Sequence, residues 1–132
     1  DIINQYGADA LRYFLATSSA PGLDFRFSTT KIEASWNFIN KIWNASRFVL
    51  MNLPHDFEVK AIDESKLSLA DKWILSKLNT LIEKVDKDLE EYNIFDSSRS
   101  LQAFVDDLSN WYIRRGRERY WGDGMTEDKK AA

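Results

Sequence analysis

The chain of 132 residues has no cysteine, one histidine, two prolines and five glycines. The absence of cysteine excludes disulfide frameworks, thiolate zinc sites and cysteine nucleophiles, and it is consistent with a reducing compartment, so we expect a cytoplasmic location. The single histidine, His55, excludes a multi-histidine metal site and leaves little room for a serine–histidine catalytic pair. No apolar run approaches the ~18 residues of a membrane span, so no membrane partner is expected.

Apolar and aromatic residues are plentiful by contrast: 44% of the chain is hydrophobic and 14% is aromatic. A chain of 15.4 kDa is the size of one ordinary domain, and the scarcity of glycine and proline favours long helices over a β-sandwich. Eighteen basic residues against 21 acidic ones give a net charge of −3. Nucleic-acid binding through bulk positive charge alone is therefore not expected, although four arginines cluster between positions 114 and 119.

The hydrophobic periodicity predicts an all-α fold, an up-and-down antiparallel helical bundle. A short helix is predicted over residues 8–16, with a loop over residues 17–28. The second helix is predicted to begin at Thr30, with Glu33 at capping-box spacing, and to end near Asn52. Its core-facing arc is predicted to consist of Ile32, Ser35, Trp36, Ile39, Ile42, Trp43, Ser46, Val49, Leu50 and Leu53.

Two further helices and the start of another are predicted in the C-terminal half. The third begins with the capping-box pair Ser68 and Asp71, and the fourth is capped by Asp96 or Ser97. The predicted core residues are Ile74, Leu75, Leu78, Leu81, Ile82, Val85, Leu89 and Tyr92 on the third helix and Leu101, Phe104, Val105, Leu108, Trp111 and Tyr112 on the fourth. The sequence Gly122-Asp123-Gly124 is predicted to end the fourth helix, and Thr126 to begin the next.

One ridge on the second helix departs from the expected pattern of apolar residues inside and polar residues outside. Phe48 falls within the polar arc, in line with Asn37, Lys41 and Asn44 and next to Arg47. An outward ring among amides and cations is typical of a surface that stacks an unpaired base, reads base edges and neutralises phosphate. The alternative is that Phe48 is covered by the loop after the helix or by chain beyond this sequence.

Arg115 and Arg119 extend the apolar arc of the fourth helix beyond Trp111 and Tyr112. An arginine buried there without a partner would cost several kcal/mol, on the order of 3–5. We therefore expect each to leave the bundle end, to stack on Trp111, or to meet an anion. RNA phosphate and an internal acid are both open alternatives.

The neighbouring polar residues have ordinary roles in this interpretation. Arg114 and Arg117 continue the polar face and are expected to be solvated or paired within the helix, while the Tyr-Trp pair at 120–121 is expected in the core. The carboxylates at 106 and 107 diverge by about 100° on a helix, so they cannot act together on one substrate atom. There is no glycine-rich phosphate loop. The chain alone is predicted to be non-catalytic, with no catalytic residue and no metal ligand.

Five blocks of the sequence, taken in order, resemble class I aminoacyl-tRNA synthetases just after their catalytic core. They are Tyr6–Arg12, Pro21–Ser28, Asn37–Phe48, Leu67–Leu78 and Asp106–Arg115. The resemblance covers nearly the whole chain and is to the branched-chain subgroup, the valyl and isoleucyl enzymes. It implies the helical anticodon-binding domain, with residues 1–29 as a connector from an absent catalytic domain and residues 30–132 as the bundle, truncated at its C-terminus.

The two halves of the chain resemble different members of this subgroup. Pro21–Ser28 and Asn37–Leu53 look most like the valyl enzyme, whereas Ser76–Trp121 looks more like the isoleucyl enzyme. The length and density of the first block favour the valyl type. The alternatives are the same domain of an isoleucyl enzyme and, from another class, a helical protein-interaction module.

The resemblance also implies a reaction and its partners. The parent enzyme would use ATP and Mg²⁺ to attach an amino acid to tRNA, but the family's His-Ile-Gly-His and Lys-Met-Ser-Lys-Ser type signatures are absent here, so no cofactor is expected in this chain. The implied partners are a valine or isoleucine acceptor tRNA and the catalytic domain of the same chain. The bundle would receive the anticodon stem-loop near Asn44, Arg47 and Phe48.

Overall fold

The computed structural model describes residues 2–18, 22–24, 26–61, 63–122 and 124–132. In these ranges the chain is all-α and contains no strand, which confirms the predicted fold class. The helices are α1 (Ile2–Tyr6), α2 (Ala8–Thr17), α3 (Thr29–Met51), α4 (Leu69–Glu90), α5 (Ile94–Asp106), α6 (Arg117–Trp121) and α7 (Glu127–Ala131), with a 3₁₀ turn at Glu64–Lys66 and a π-helical segment at Asp107–Ile113 that continues α5. No helix in these ranges is long and apolar enough to cross a membrane.

The short connection after α4 makes α4 and α5 antiparallel neighbours, as predicted, and α2 packs against both α3 and α5. The turn is closed by Tyr92 in the left-handed region, with φ +57°. Tyr92 is 83% exposed, so its predicted place in the core arc is wrong. The backbone leaves the helix at this point, and the ring no longer follows the helical period.

Two of the predicted helix starts are confirmed by their hydrogen bonds. Asp71 N–H donates to the Ser68 hydroxyl and Ser68 N–H donates to the Asp71 carboxylate, which is the reciprocal capping box. Thr126 caps α7 by accepting from Lys129 N–H. These caps join residues three apart in sequence, so they are visible in the local pattern.

The other two predicted starts are displaced along the chain. α3 begins at Thr29, after an extended Ser28 that makes no side-chain cap, so the predicted capping box at Thr30 is wrong. α5 begins at Ile94, where the Asn93 side chain accepts from Asp96 N–H. Positions 19–21 and 25 of the predicted loop over residues 17–28 lie outside the described residues. So does Asp123, which is part of the sequence predicted to end the fourth helix.

The face of α3 that meets the rest of the bundle differs from the predicted arc. Its N-terminal half buries Ile32, Ser35 and Phe38, where α2 packs, while Phe48 in its C-terminal half packs against the core cluster. Predicted core residues are instead exposed: Trp36 by 43%, Ile42 by 39%, Trp43 by 68% and Leu50 by 65%. Because α3 has different partners along its length, the buried face rotates, and a single helical wheel assigns the second half incorrectly.

The principal core cluster lies where α3, α4 and the π-helical segment meet. Its buried members are Ile74, Tyr112 and Ile113. Residues packed against them are Ala45, Phe48, Val49, Ala70, Trp73, Phe104 and Leu108. A second packed region joins α2 to α3, where Phe14 is 1% exposed and Ile32 is fully buried.

The fourth helix was predicted to be continuous, but it widens into a π-helical segment and breaks at Gly116 before α6. A π turn accommodates an extra residue and so reorients the side chains that follow it. Tyr112 and Ile113 are buried, while Trp111 remains 39% exposed. Gly116 lies close to this segment, since a Cβ there would stand 3.1 Å from the Tyr112 carbonyl oxygen.

We expect Gly116→Ala to lower the free energy of unfolding by about 1 kcal/mol, because the added methyl group presses on backbone that cannot rotate away. The measurement is urea unfolding followed by circular dichroism. Gly122→Ala is the matched control, since its Cβ would lie 4.0 Å from the Glu118 carbonyl oxygen, an ordinary contact. A Gly116→Ala protein as stable as the control would contradict the close packing described here.

Candidate nucleic-acid interface

Arg119, one of the residues predicted to contact RNA, is held by acids of the same chain. Its Nη1 and Nη2 donate to the two carboxylate oxygens of Asp71 at 2.7 and 3.0 Å, and its Nε lies 3.0 Å from Asp128 Oδ1. The two side chains of the inner pair are 18% and 2% exposed, for Arg119 and Asp71. Of the two alternatives for Arg119, an internal acid and RNA phosphate, the structure shows the internal acid. Arg119 is therefore no longer a candidate for RNA contact.

Asp71 is the centre of a hydrogen-bonded group that we call the Asp71 cluster: Ser68, Asp71, Tyr112 and Arg119. The Tyr112 hydroxyl donates to Asp71 Oδ1 at 2.5 Å, and Ser68 N–H donates to Oδ2 at 2.8 Å. Burial alone would raise the pKa of Asp71, but the bonds from Arg119, Tyr112 and Ser68 outweigh it and hold that pKa well below its usual range. Burial and the bond to Asp71 raise the pKa of Tyr112. Asp71 and Arg119 are thus both charged at neutral pH, and both carboxylate oxygens of Asp71 accept hydrogen bonds.

We expect Asp71→Asn to lower the free energy of unfolding at pH 7 by about 3 kcal/mol, because it leaves the Arg119 charge poorly paired. The depressed native pKa means that protons bind preferentially to the unfolded chain as the pH falls. The stabilisation by Asp71 is therefore complete above the unfolded carboxyl pKa of about 3.9 and is lost as the pH falls from there toward the native pKa. Urea titrations between pH 7 and pH 3 measure the difference.

The difference in stability between the wild type and Asp71→Asn should accordingly shrink below about pH 4. Glu83→Gln is the matched control, because it removes one carboxylate from the exposed surface of the same helix. Its effect should stay within about 0.5 kcal/mol at each pH. A difference for Asp71→Asn that is the same at pH 7 and pH 3 would contradict the assigned pKa direction.

The ridge predicted from Asn37, Lys41, Asn44 and Phe48 does not form a free surface. Lys41 Nζ donates to Asp106 Oδ1 at 2.5 Å. Phe48 is half-buried, and the ring of Tyr120 meets it edge-on with centroids 5.5 Å apart. The prediction of an outward Phe48 is therefore wrong. The alternative, that another part of the protein covers the Phe48 ring, holds. The covering residues belong to α6, however, and not to the loop after α3.

The exposed side of α3 presents a different row of residues, which we call the α3 ridge: Trp36, Asn40, Trp43, Arg47 and Leu50. They follow one another at helical spacings of four and three residues, so they share one face. Trp43 is 68% exposed, and within the described ranges no acid pairs with Arg47, which is exposed. The row combines flat apolar surfaces, an amide and a free cation.

Three of the predicted site residues keep an accessible position beside or within this row. Arg47 belongs to the α3 ridge, and Asn37 and Asn44 are exposed. Sequence reasoning missed Trp36 and Trp43, because apolar residues on a long helix were assigned to the core. The signal that could have found them is their alternation with Asn40 and Arg47, since a core-facing stripe rarely alternates with amides and a cation.

α6 adds a second aromatic and cationic element next to the C-terminal half of α3. Trp121, which was predicted in the core, is 62% exposed, whereas Tyr120 is buried as predicted. The Arg117 guanidinium lies 5.7 Å from the ring centre of Trp121 and 5.9 Å from that of Phe48. Arg117 was expected to be solvated or paired within its helix; it is exposed, and it also lies over these two rings.

Comparison with known proteins gives a family match for the C-terminal half of the chain. Residues 71–132 match the family model described as the anticodon-binding domain of tRNA ligase. The chain contains an anticodon-binding domain of the tRNA ligase family. The matched region begins at Asp71 and includes most of α4, the π-helical segment and α6. The match confirms the resemblance to class I aminoacyl-tRNA synthetases.

The family match does not include α3, but relatives that align with nearly the whole chain do. The chain is 51% identical over 131 residues to a valine–tRNA ligase of Bacillus anthracis, which covers 98% of the chain and 15% of that protein. It is 54% identical over 125 residues to the valine–tRNA ligase of Anoxybacillus flavithermus, covering 93% of the chain and 14% of that protein. The chain thus spans about 15% of the length of such curated relatives.

Proposed function

We propose that this chain receives the anticodon arm of a valine tRNA, as one domain of a valine–tRNA ligase. The observation that carries the proposal is the exposed indole of Trp43, 68% accessible and four residues before the unpaired Arg47. In an anticodon-binding domain, an exposed aromatic ring next to a free cation is the surface suited to unpaired bases. The matched family and the names of the relatives support the same assignment.

Each type of side chain on the α3 ridge supplies one part of the recognition. The indoles of Trp36 and Trp43 offer flat surfaces on which splayed bases stack. The amides of Asn40 and Asn44 both donate and accept hydrogen bonds, as base edges require. Arg47 binds phosphate, which positions the arm while the stacked bases carry selectivity.

The charge of the chain makes this attraction local. The net charge of −3 opposes long-range attraction of RNA. Exposed cations close to the proposed surface, Arg47 and Arg117 among them, attract phosphate at short range. We expect binding to weaken as salt is added, because each phosphate contact releases counterions.

The remaining activity of such a ligase belongs to chain outside these residues. The whole protein would use ATP and Mg²⁺ to attach valine to its tRNA in the cytoplasm, with the catalytic domain in the same chain as this one. In the described part of the chain, no group of three or more His, Cys, Asp or Glu residues could hold a metal ion. The part of that activity that we propose for this chain is tRNA binding.

Valine is the amino acid that the comparisons favour. The relatives named above are valine–tRNA ligases, and isoleucine, the alternative from the sequence, is not supported. The valyl assignment from the first blocks of the sequence therefore takes precedence over the isoleucyl likeness of residues 76–121.

We expect Trp43→Ala to weaken binding of a valine tRNA transcript about tenfold without unfolding the protein, because it removes a stacking surface and opens no cavity. Filter binding at low salt and circular dichroism are the two measurements. Binding equal to the wild type in a folded Trp43→Ala protein would contradict the role of the α3 ridge. A helical protein-interaction module, the alternative from another class, would retain no tRNA at all.

We expect Arg47→Ala to weaken tRNA binding and to reduce the dependence of log affinity on log salt by about one, because one phosphate contact is lost. Lys31→Ala is the matched control, since it removes the same charge from an exposed position at the other end of α3. The two variants have equal net charge, so bulk electrostatics cannot separate them. Equal salt dependence in both variants would show that Arg47 makes no direct phosphate contact.

A further inference from the structure

A second aromatic and cationic group lies outside the α3 ridge and α6, and we call it the Trp111 platform: Trp73, Trp111 and Arg115. The two indoles pack with their centroids 4.5 Å apart and a 55° tilt. The Arg115 guanidinium lies 5.3 Å from the ring centre of Trp111. Trp73 also packs against the core cluster, so the platform is anchored on one side and 39% of Trp111 stays exposed on the other.

Arg115 carries an uncompensated charge on this platform. Lys77 lies over Trp73 at 5.1 Å, but it forms an ion pair with Asp107. Asp128 lies nearby, and its carboxylate is bound to Arg119 at 3.0 Å. Across the described ranges, no acid pairs with Arg115, which is exposed. A free guanidinium on an indole is suited to an anion that also carries a flat ring.

A cavity of about 280 Å³ opens beside the platform, with Ser68, Trp111, Arg115 and Gly116 in its lining. Pockets for drug-sized ligands span roughly 300–1,000 Å³. This cavity is therefore of a size for one nucleotide rather than for a large cofactor. Gly116 contributes no side chain to it, so the opening next to Trp111 stays clear.

The walls of the cavity are held by groups that are already paired. Tyr112 and Arg119, which also line it, belong to the Asp71 cluster. The π-helical segment turns Tyr112 inward and leaves Trp111 and Arg115 facing out. Trp111 itself packs on Trp73 before any ligand arrives, which reduces the entropy lost on binding.

We propose that the Trp111 platform takes one unpaired nucleotide of the bound tRNA, in addition to those on the α3 ridge. The base stacks on the exposed part of Trp111 and Arg115 binds its phosphate. This inference rests on the proposed function. An acidic peptide would use Arg115 alone and leave the exposed indole without a role, so RNA fits both features of the platform.

The test compares two exposed arginines that each lie over an aromatic ring. Arg115→Ala removes the platform's free cation, and Arg99→Ala removes an exposed arginine that lies 5.5 Å from the ring of Phe95 on α5. We expect Arg115→Ala to weaken binding of a valine tRNA transcript about tenfold and to lower the salt dependence by about one, with Arg99→Ala unchanged. Arg115→Lys should restore the salt dependence, because it restores the charge.

A direct readout uses the protein with tRNA that carries 4-thiouridine at unpaired positions. Ultraviolet cross-linking followed by mass spectrometry should place an adduct at Trp111, and Trp111→Phe should keep the fold and reduce that adduct. Adducts confined to α3 and α6 would overturn the inference.

The outcomes also separate this inference from the proposed function. If Trp43→Ala weakens binding while Arg115→Ala behaves like Arg99→Ala, the platform is not an RNA contact and the proposed function stands. If the wild-type protein binds no tRNA, both are wrong. If Arg115→Ala lowers thermal stability and leaves tRNA binding unchanged, Arg115 stabilises the fold of this chain and does not bind RNA. That outcome overturns the inference.

Discussion

The buried pairing of Asp71 with Arg119 is the interaction on which the C-terminal half of this bundle depends. Asp71 caps α4 through Ser68, receives the Tyr112 hydroxyl from the π-helical segment and binds the α6 guanidinium with both oxygens. Two charges placed in a largely buried position are costly unless they are paired, and here both Asp71 oxygens accept hydrogen bonds from several elements. This single carboxylate therefore sets the position of α6 relative to α4.

The position of α6 in turn decides which surface of α3 is left for a ligand. Because α6 packs Tyr120 and Trp121 against Phe48, the side of α3 that carries Phe48 and Lys41 is closed. The opposite side, with Trp36, Trp43 and Arg47, stays exposed among the described residues. The Asp71–Arg119 pair thus determines which side of α3 is exposed, through the position of α6, without contacting that side.

The arginines of this chain show that one residue type can have opposite roles on neighbouring turns. Arg119 is neutralised by two carboxylates, Arg117 lies over aromatic rings, and Arg115 is exposed on Trp111. The difference is whether an acid from another segment reaches the guanidinium. In an acidic chain with a net charge of −3, an exposed arginine that escapes such pairing is available to phosphate.

The amino-acid sequence by itself determined the helices, the bundle class, the capping box at Ser68 and the family resemblance, because these depend on residues close together along the chain. Only the tertiary structure decided which face of α3 is buried and which cations are free. The pairs responsible join residues far apart, 65 positions for Lys41 with Asp106 and 48 for Asp71 with Arg119. A helical wheel assumes one partner along the whole length of a helix. α3 packs against several elements along its length, so a single wheel places its exposed indoles in the core, and only the packing of the bundle shows them outside.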